Sequence, residues 1–415
     1  MITPNCWRLT LAAGLALTTC SCASQTQARR PHIPPPDPAV VAANPGVKRL
    51  AAGTNAFGFH LLHQLTAKQP GNVFFSPFSI SQALLLTLNG AGGQTQKDLA
   101  RTLGLTALSQ DQINAANALL LPFIANPDPK VEVSVANALW ANHGVVFNPA
   151  FQERTRRFYN AQATTLDFGS PAASAAINGW VSQNTQGKIT QIVSQTDLAQ
   201  SEAVLTNAVY FHGTWQSPFD KNETTEGPFF LASRRTKTVP LMSQTKTFPY
   251  LNTPKFQVVS LPYGKGRISL VIFLPKPGTS LSAAVSGLNG SSVNQVIGAM
   301  KPAKLSIILP RFRADYTVNL NAPLSALGMG SAFSPGADFS PMGLRGAQIN
   351  AVIHKAVLEV DEEGTIAAAS TSVMIQCKYF VPKTVVRVDH PFFCAIRDQV
   401  TGDILFEGVI QDPQG

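Results

Sequence analysis

Residues 362–378 read EEGTIAAASTSVMIQCK, an acidic pair and a glycine followed by a run of small and β-branched residues. Between Gly364 and Lys378 there is no charged residue and no proline. Taken every second position, Thr365, Ala367, Ala369, Thr371, Val373 and Ile375 form a face suited to a buried central strand. A charge on that face would be costly to bury unless paired, and a proline would delete a ladder hydrogen bond. Yet Cys377, Lys378 and Tyr379, which close the run, read as an exposed tip. The stretch is composed to be loop at one time and strand at another, which is the signature of a conformational switch.

The rest of the chain can house such a switch. With 415 residues, 45% of them hydrophobic, it can bury a large core as one big domain or two smaller ones. Lys plus Arg number 32 against 23 Asp plus Glu, a net charge of +9, but no dense basic run or basic–aromatic interleaving accompanies it. That pattern argues against a nucleic-acid surface. No His/Glu metal motif, Walker loop or dinucleotide fingerprint occurs, so no metal or cofactor is expected. A hydrolase built on Cys377 or Cys394 with Asp389 and His390 is the enzymatic alternative. Neither cysteine sits in a strand-to-helix nucleophile turn, which argues against it.

Arg8 followed by the apolar run Leu9–Leu17 is too short to span a bilayer and reads as a signal peptide, residues 1–22. Leu17-Thr18-Thr19-Cys20 resembles a bacterial lipobox, making Cys20, or Cys22 just beyond it, the candidate for lipidation. Thr19 and Ser21 depart from the small residue such a site prefers. Export is expected, as a cell-envelope lipoprotein or a secreted protein, with membrane attachment through the N-terminal lipid in the first case. Residues 23–46, with PHIPPPDP, read as an extended proline-rich linker, and 47–415 as the folded domain. Three of five cysteines lie in the leader. Only Cys377 and Cys394 remain, as free thiols, and no disulfide framework is expected.

Within the domain, Phe57, Leu61, Leu62 and Leu65 recur at helical spacing, and 79–88 and 94–103 read as further helices. Strand-like runs follow at 131–140, 203–211, 257–261, 268–274, 305–309, 351–359, 385–388, 392–397 and 404–409. Helical stretches at 151–159, 174–185 and 320–327 are interspersed. Helices early and strands late argue for a single α+β domain.

Several blocks then carry a family resemblance. NVFFSPFSISQALLLTLNGAGGQT (Asn72–Thr95), ANALW (Ala136–Trp140), INGWVSQNTQGKI (Ile177–Ile189), LTNAVYFHGTW (Leu205–Trp215) and LPYGKGRISLVIFLP (Leu261–Pro275) resemble segments of serpins. So do LPRFR, IHKAVLEVDEEGT (Ile353–Thr365) and the closing DHPFFCAIRDQVTGDILFEGVIQDP (Asp389–Pro413), all in the family's order. The likeness runs from about Phe57 to Pro413. It implies three β-sheets, eight or nine helices, and an exposed reactive loop near the C-terminus. It further implies a suicide inhibitor of serine proteases. A protease attacks the loop, and the cleaved loop inserts as a new strand of the large sheet, dragging the acyl-enzyme with it.

By the same resemblance, Glu362, Glu363, Gly364, Thr365, Ala367, Ala368 and Ala369 are the loop hinge, whose small residues mark inhibitory members. Ser79, Asn207 and His354 match residues that bond beneath the sheet where its central strands part. Trp215 matches a tryptophan at the top of the sheet, and Glu362 a carboxylate paired with a base, here Arg311. Family spacing puts the scissile bond at Lys378-Tyr379, and Lys suits the acidic pocket of a trypsin-like protease. The loop is slightly longer than in common members. Tyr379 or Phe380 as the scissile residue would imply a chymotrypsin-like target. A non-inhibitory member, a binding or scaffold lipoprotein cleaved as a plain substrate, is the alternative function. A monomer is expected.

Overall fold

The computed structural model describes residues 35–68, 71–365 and 384–414. Cys20, Cys22, Ala367, Ala368, Ala369, Cys377, Lys378 and Tyr379 lie outside the described residues. Asp37 starts the first helix, its carboxylate accepting from Ala39 N at 2.7 Å, with Pro38 at the first helical position. This is an acidic cap followed by a residue whose φ is preset for the helix. Helix α1 (Pro38–Ala43) buries Val41 and leads into the 24-residue α2 (Pro45–Lys68). The folded unit therefore begins before Val47, and residues 38–46 are helix and cap rather than part of an extended linker.

Ser76 caps α3 (Pro77–Leu88), its Oγ accepting from Ser79 N at 3.0 Å, and every residue of α3 is buried. Around it lie α4 (Gly93–Thr102), α5 (Gln110–Ala125) and α6 (Pro149–Tyr159). Eleven α-helical segments occur among the described residues, four of them six residues or shorter. Helix α5 escaped the sequence reading because its apolar residues are not confined to one stripe and Pro122 stands inside it.

One sheet has nine strands. In order these are β1 (Val73–Phe75), β15 (Ile404–Ile410), β14 (Phe392–Asp398), β8 (Ile268–Pro275), β7 (Phe256–Pro262), β6 (Thr236–Asn252), β9 (Lys301–Pro310) and β13 (Val385–Arg387), with β5 (Thr225–Phe230) on β6. The other has six, in the order β10 (Phe312–Asn319), β11 (Ala351–Val360), β12 (Gly364–Thr365), β4 (Ala203–Thr214), β2 (Val131–Asn142) and β3 (Gln162–Leu166). Where the resemblance implies three sheets, the described strands bond into two. The cause is the 17-residue β6, which pairs with β5 at its start, β9 along its middle and β7 at its end. Helix α3 packs between β4 of the smaller sheet and β15 of the larger one.

Within this core, Glu407 of β15 is fully buried and neither carboxyl oxygen has a hydrogen-bond partner among the described residues. It lies against α2, where a side-chain carbon on Gly58 would come within 2.7 Å of its Oε1. Burial pushes its pKa well above the ordinary value, so the folded state prefers the neutral acid. An acid whose folded pKa is raised costs stability as pH climbs above the unfolded value of 4.5. Glu407→Gln is therefore expected to raise the melting temperature at pH 7 to 8, with the gain vanishing toward pH 4. Thermal unfolding across that range checks this.

Candidate functional site

Strands β4 and β11 run parallel and pair from Val204 opposite Ala351 to Tyr210 opposite Val357. Beyond that they part, and β12 lies between them. Thr365 stands opposite Val360 of β11 and Gly213 of β4, and Gly364 opposite Thr214. The first residues of the switch-like stretch thus already occupy the start of a strand. Thr365 is fully buried and points inward, its hydroxyl 3.0 Å from Tyr263 Oη.

A tight turn delivers the chain to this position. Asp361 N donates to Gly364 O at 2.9 Å, and Asp361 Oδ1 accepts from the amides of Glu363 (2.9 Å) and Gly364 (3.1 Å). The aspartate side chain thereby templates the reversal. Gly364 has φ +147°, and a Cβ there would fall 2.0 Å from Gly213 O, so no other residue fits. Glu362, 2% exposed, is gripped by Arg311, with Nη2 at 2.6 Å and Nε at 2.8 and 3.0 Å from its two oxygens. Burial raises the Glu362 carboxyl, but hydrogen bonds from Arg311 and Thr224 outweigh it and hold the group below its ordinary value. Trp215 seals the turn. Its indole stacks on Tyr263 with centroids 4.2 Å apart and planes 11° apart, and its Nε1 donates to Asp361 O at 2.8 Å.

Lower down, where β4 and β11 still touch, His354 faces Asn207 in the register, and Asn207 faces Asn137 of β2. The three side chains form a buried polar row beneath the sheet, resting on the N-terminus of α3. Asn207 Nδ2 donates to Ser79 O (2.9 Å), Ser79 Oγ (2.6 Å) and Asn137 Oδ1. Ser76 N donates to His354 Nε2 at 3.2 Å. That nitrogen must be the acceptor, so the ring proton sits on Nδ1 and is donated to Asn207 Oδ1. Desolvation lowers the His354 pKa to about 3, keeping the imidazole neutral.

The described residues that the resemblance marks as hinge or sheet-opening positions gather in two places, the turn (Glu362, Glu363, Gly364, Thr365, Arg311, Trp215) and the polar row (Ser79, Asn207, His354). Asn137, Ser76, Asp361 and Tyr263 belong with them and were missed. Asn137 had a visible signal, a lone amide inside the apolar ANALW. The cysteine–histidine alternative is not assembled among the described residues. Cys394 is fully buried with its thiol pushed up by desolvation, and the two ring nitrogens of His390 face Asp389 Oδ1 and Pro275 O. No group of three metal-ligating side chains occurs among the described residues, and no helix there is long and apolar enough to cross a membrane.

Two central strands with the first residues of a loop hinge seated between them are matched by the comparisons with known proteins. The family model described as serpin (serine protease inhibitor) matches residues 52–413. The chain belongs to the serpin family. It is 34% identical to leukocyte elastase inhibitor A of Mus musculus over 381 residues, 88% of this chain and 100% of that one. Two solved structures superpose closely. Human thyroxine-binding globulin has a TM-score of 0.83 at 27% identity, over 89% of this chain and 100% of that one. The thermophilic serpin tengpin in its native state has 0.82 at 28%, over 87% and 94%. As a member of a protease-inhibitor family, the protein is not itself a catalytic enzyme.

The lowered His354 pKa makes the contribution of this histidine to stability depend on pH. Protonation favours the unfolded chain, so its contribution is complete above the unfolded value of 6.5 and is lost as pH falls below it toward 3. At pH 5 the loss from this one group is about 2 kcal/mol. Thermal unfolding at pH 7 and pH 5 is expected to show a steeper fall in the parent than in His354→Gln, even though the variant starts less stable.

Proposed function

We propose that this serpin inhibits a trypsin-like serine protease by offering Lys378-Tyr379 as a cleavable bond and trapping the acyl-enzyme through loop insertion. The protease serine attacks the Lys378 carbonyl, an ester forms there, and a new amino terminus at Tyr379 leaves with the C-terminal peptide. Insertion then competes with hydrolysis of that ester. The observation that carries this reading is the position of Thr365, already seated between β4 and β11 in antiparallel register with both.

That register has a consequence for the remaining residues. Thr371 lies six residues on from Thr365, and six residues back from Gly213 and Val360 are Asn207 and His354. Continued insertion would therefore bring the Thr371 hydroxyl between the two side chains whose hydrogen bond it must break. A hydroxyl donates and accepts, so it can replace that bond on both sides. Ala367, Ala369, Val373 and Ile375 would share its inward face, all small or apolar as burial requires.

The leader supports an exported protein, tethered through Cys20 or Cys22 or released, acting on proteases outside the cell. The relative named for leukocyte elastase makes elastase a further target to be tried beside chymotrypsin. Incubating the leaderless protein with trypsin, chymotrypsin and elastase, followed by denaturing electrophoresis and mass spectrometry of the released peptide, tests the whole reading. A covalent complex with trypsin and a peptide beginning at Tyr379 is the expected result. Clean cleavage without any complex would assign a substrate-type, non-inhibitory serpin instead.

A second outcome follows from the register. Thr371→Arg is expected to leave cleavage at the loop intact while abolishing the stable complex, because a guanidinium would have to enter the core beside His354. An undiminished complex would reject the proposed insertion register.

A further inference from the structure

The hinge turn is bound from outside by one continuous segment. Trp215 N donates to Glu363 O at 2.9 Å and Phe219 N to Glu362 O at 2.8 Å, while the Trp215 indole takes Asp361 O. Three successive carbonyls of the turn are thus held by residues 215–219. Farther along, Asp220 caps a single 3₁₀ turn (Lys221–Glu223) through Asn222 N at 2.9 Å. This turn presents Lys221 to the hinge, and its Nζ lies 2.5 Å from Glu363 Oε1. Thr224 Oγ then donates to Glu362 Oε1 at 2.5 Å.

The two members of the Lys221–Glu363 pair differ in environment. Lys221 is 58% exposed, whereas Glu363 is only 12% exposed and its Oε2 is buried with no hydrogen-bond partner among the described residues. Among the described residues, Lys221 is the cation in contact with that carboxylate. Glu362 has its own base in Arg311, so the two acidic side chains of the turn have different cationic partners.

We propose that residues 215–224 form a clamp that keeps the first loop residue seated in the sheet, and that Lys221 is its ionic catch. Lys221 is a positioning residue, acting on Thr365 through Glu363 and the turn. Glu363 already bonds Trp215 at the register that continued insertion would use, so closing the clamp makes the opening step of insertion in advance. Releasing it returns that step to be completed after cleavage. Because the catch is exposed on one side, its strength falls with ionic strength.

Two kinds of measurement separate this idea from the inhibitory reading, on which only the second depends. The first is amide hydrogen exchange of the peptide covering residues 361–365 in the intact leaderless protein. Lys221→Ala is expected to speed exchange there roughly two- to fivefold, the factor expected of a partly exposed ion pair. Lys221→Arg should restore the parent rate, and the parent in about 1 M salt should approach the alanine variant because charges are screened within a few ångströms there. Gly364→Ala, which cannot keep the turn, marks the fully released limit. The second is the number of inhibitor molecules consumed per protease trapped, expected to rise by a similar factor in Lys221→Ala. Unchanged exchange in Lys221→Ala overturns the clamp whatever the proteases do. Faster exchange in a protein that traps no protease upholds the clamp and rejects the inhibitory function instead.

Discussion

Two parallel strands that pair along their lower halves and separate above are the constraint on which the rest of this molecule depends. A buried backbone donor or acceptor left without a partner is costly, so the gap between β4 and β11 has to be filled by something. Here Gly364 and Thr365 begin to fill it from above, while the His354–Asn207 contact closes it below. The turn at Asp361, the Arg311 grip on Glu362 and the stacked Trp215–Tyr263 pair all serve to bring the chain to the mouth of that gap at the right angle. None of them is placed for chemistry on a substrate. Their common product is a backbone position.

The closing contact is polar, although it lies in the middle of an apolar core. A hydrophobic row at Asn137, Asn207 and His354 would hold the sheet shut through packing alone, and parting it would expose apolar surface with nothing in return. Hydrogen bonds can be exchanged. An incoming strand with a hydroxyl at the right register offers equivalent partners, so the cost of opening is recovered on closing around the new strand. Polar groups here trade some packing for reversibility of partners, which is what the proposed admission of a strand would require.

Much of this was legible in the sequence because the constraints on an inserting strand are compositional. Absence of charge and proline, small residues on alternate positions, and glycine at the reversal are each visible without coordinates. The ordered family motifs single out Ser79, Asn207, His354, Trp215, Arg311 and Glu362, which the structure gathers in two clusters. The residues that were missed act through geometry. Asp361 works by folding its carboxylate back onto two amides, and Tyr263 by reaching across from the other sheet to Thr365. Lys221 meets Glu363 from a distant part of the chain, and neither composition nor periodicity encodes that encounter. The helical start at Asp37-Pro38 was overlooked because the proline-rich run before it dominates the local pattern.

The titrating groups of the core pull in opposite directions. His354 penalises protonation, whereas Asp361 and Glu407, both pushed up by burial, penalise deprotonation, and burial raises Asp403 to about 7. Asp361 stands at the hinge turn and His354 where the two strands still pair, so the two groups act at opposite ends of the same region. At neutral pH the histidine is content and the acids carry the strain. The native arrangement is therefore not the one in which every group is best satisfied. Residues 365–375 have the composition of a buried strand, and inserted as proposed they would give the sheet between β4 and β11 a better-paired state. Under the proposed insertion, the contacts around Asp361, Glu362 and Glu363 hold the first step in place, and the His354–Asn207 contact is what must still give way.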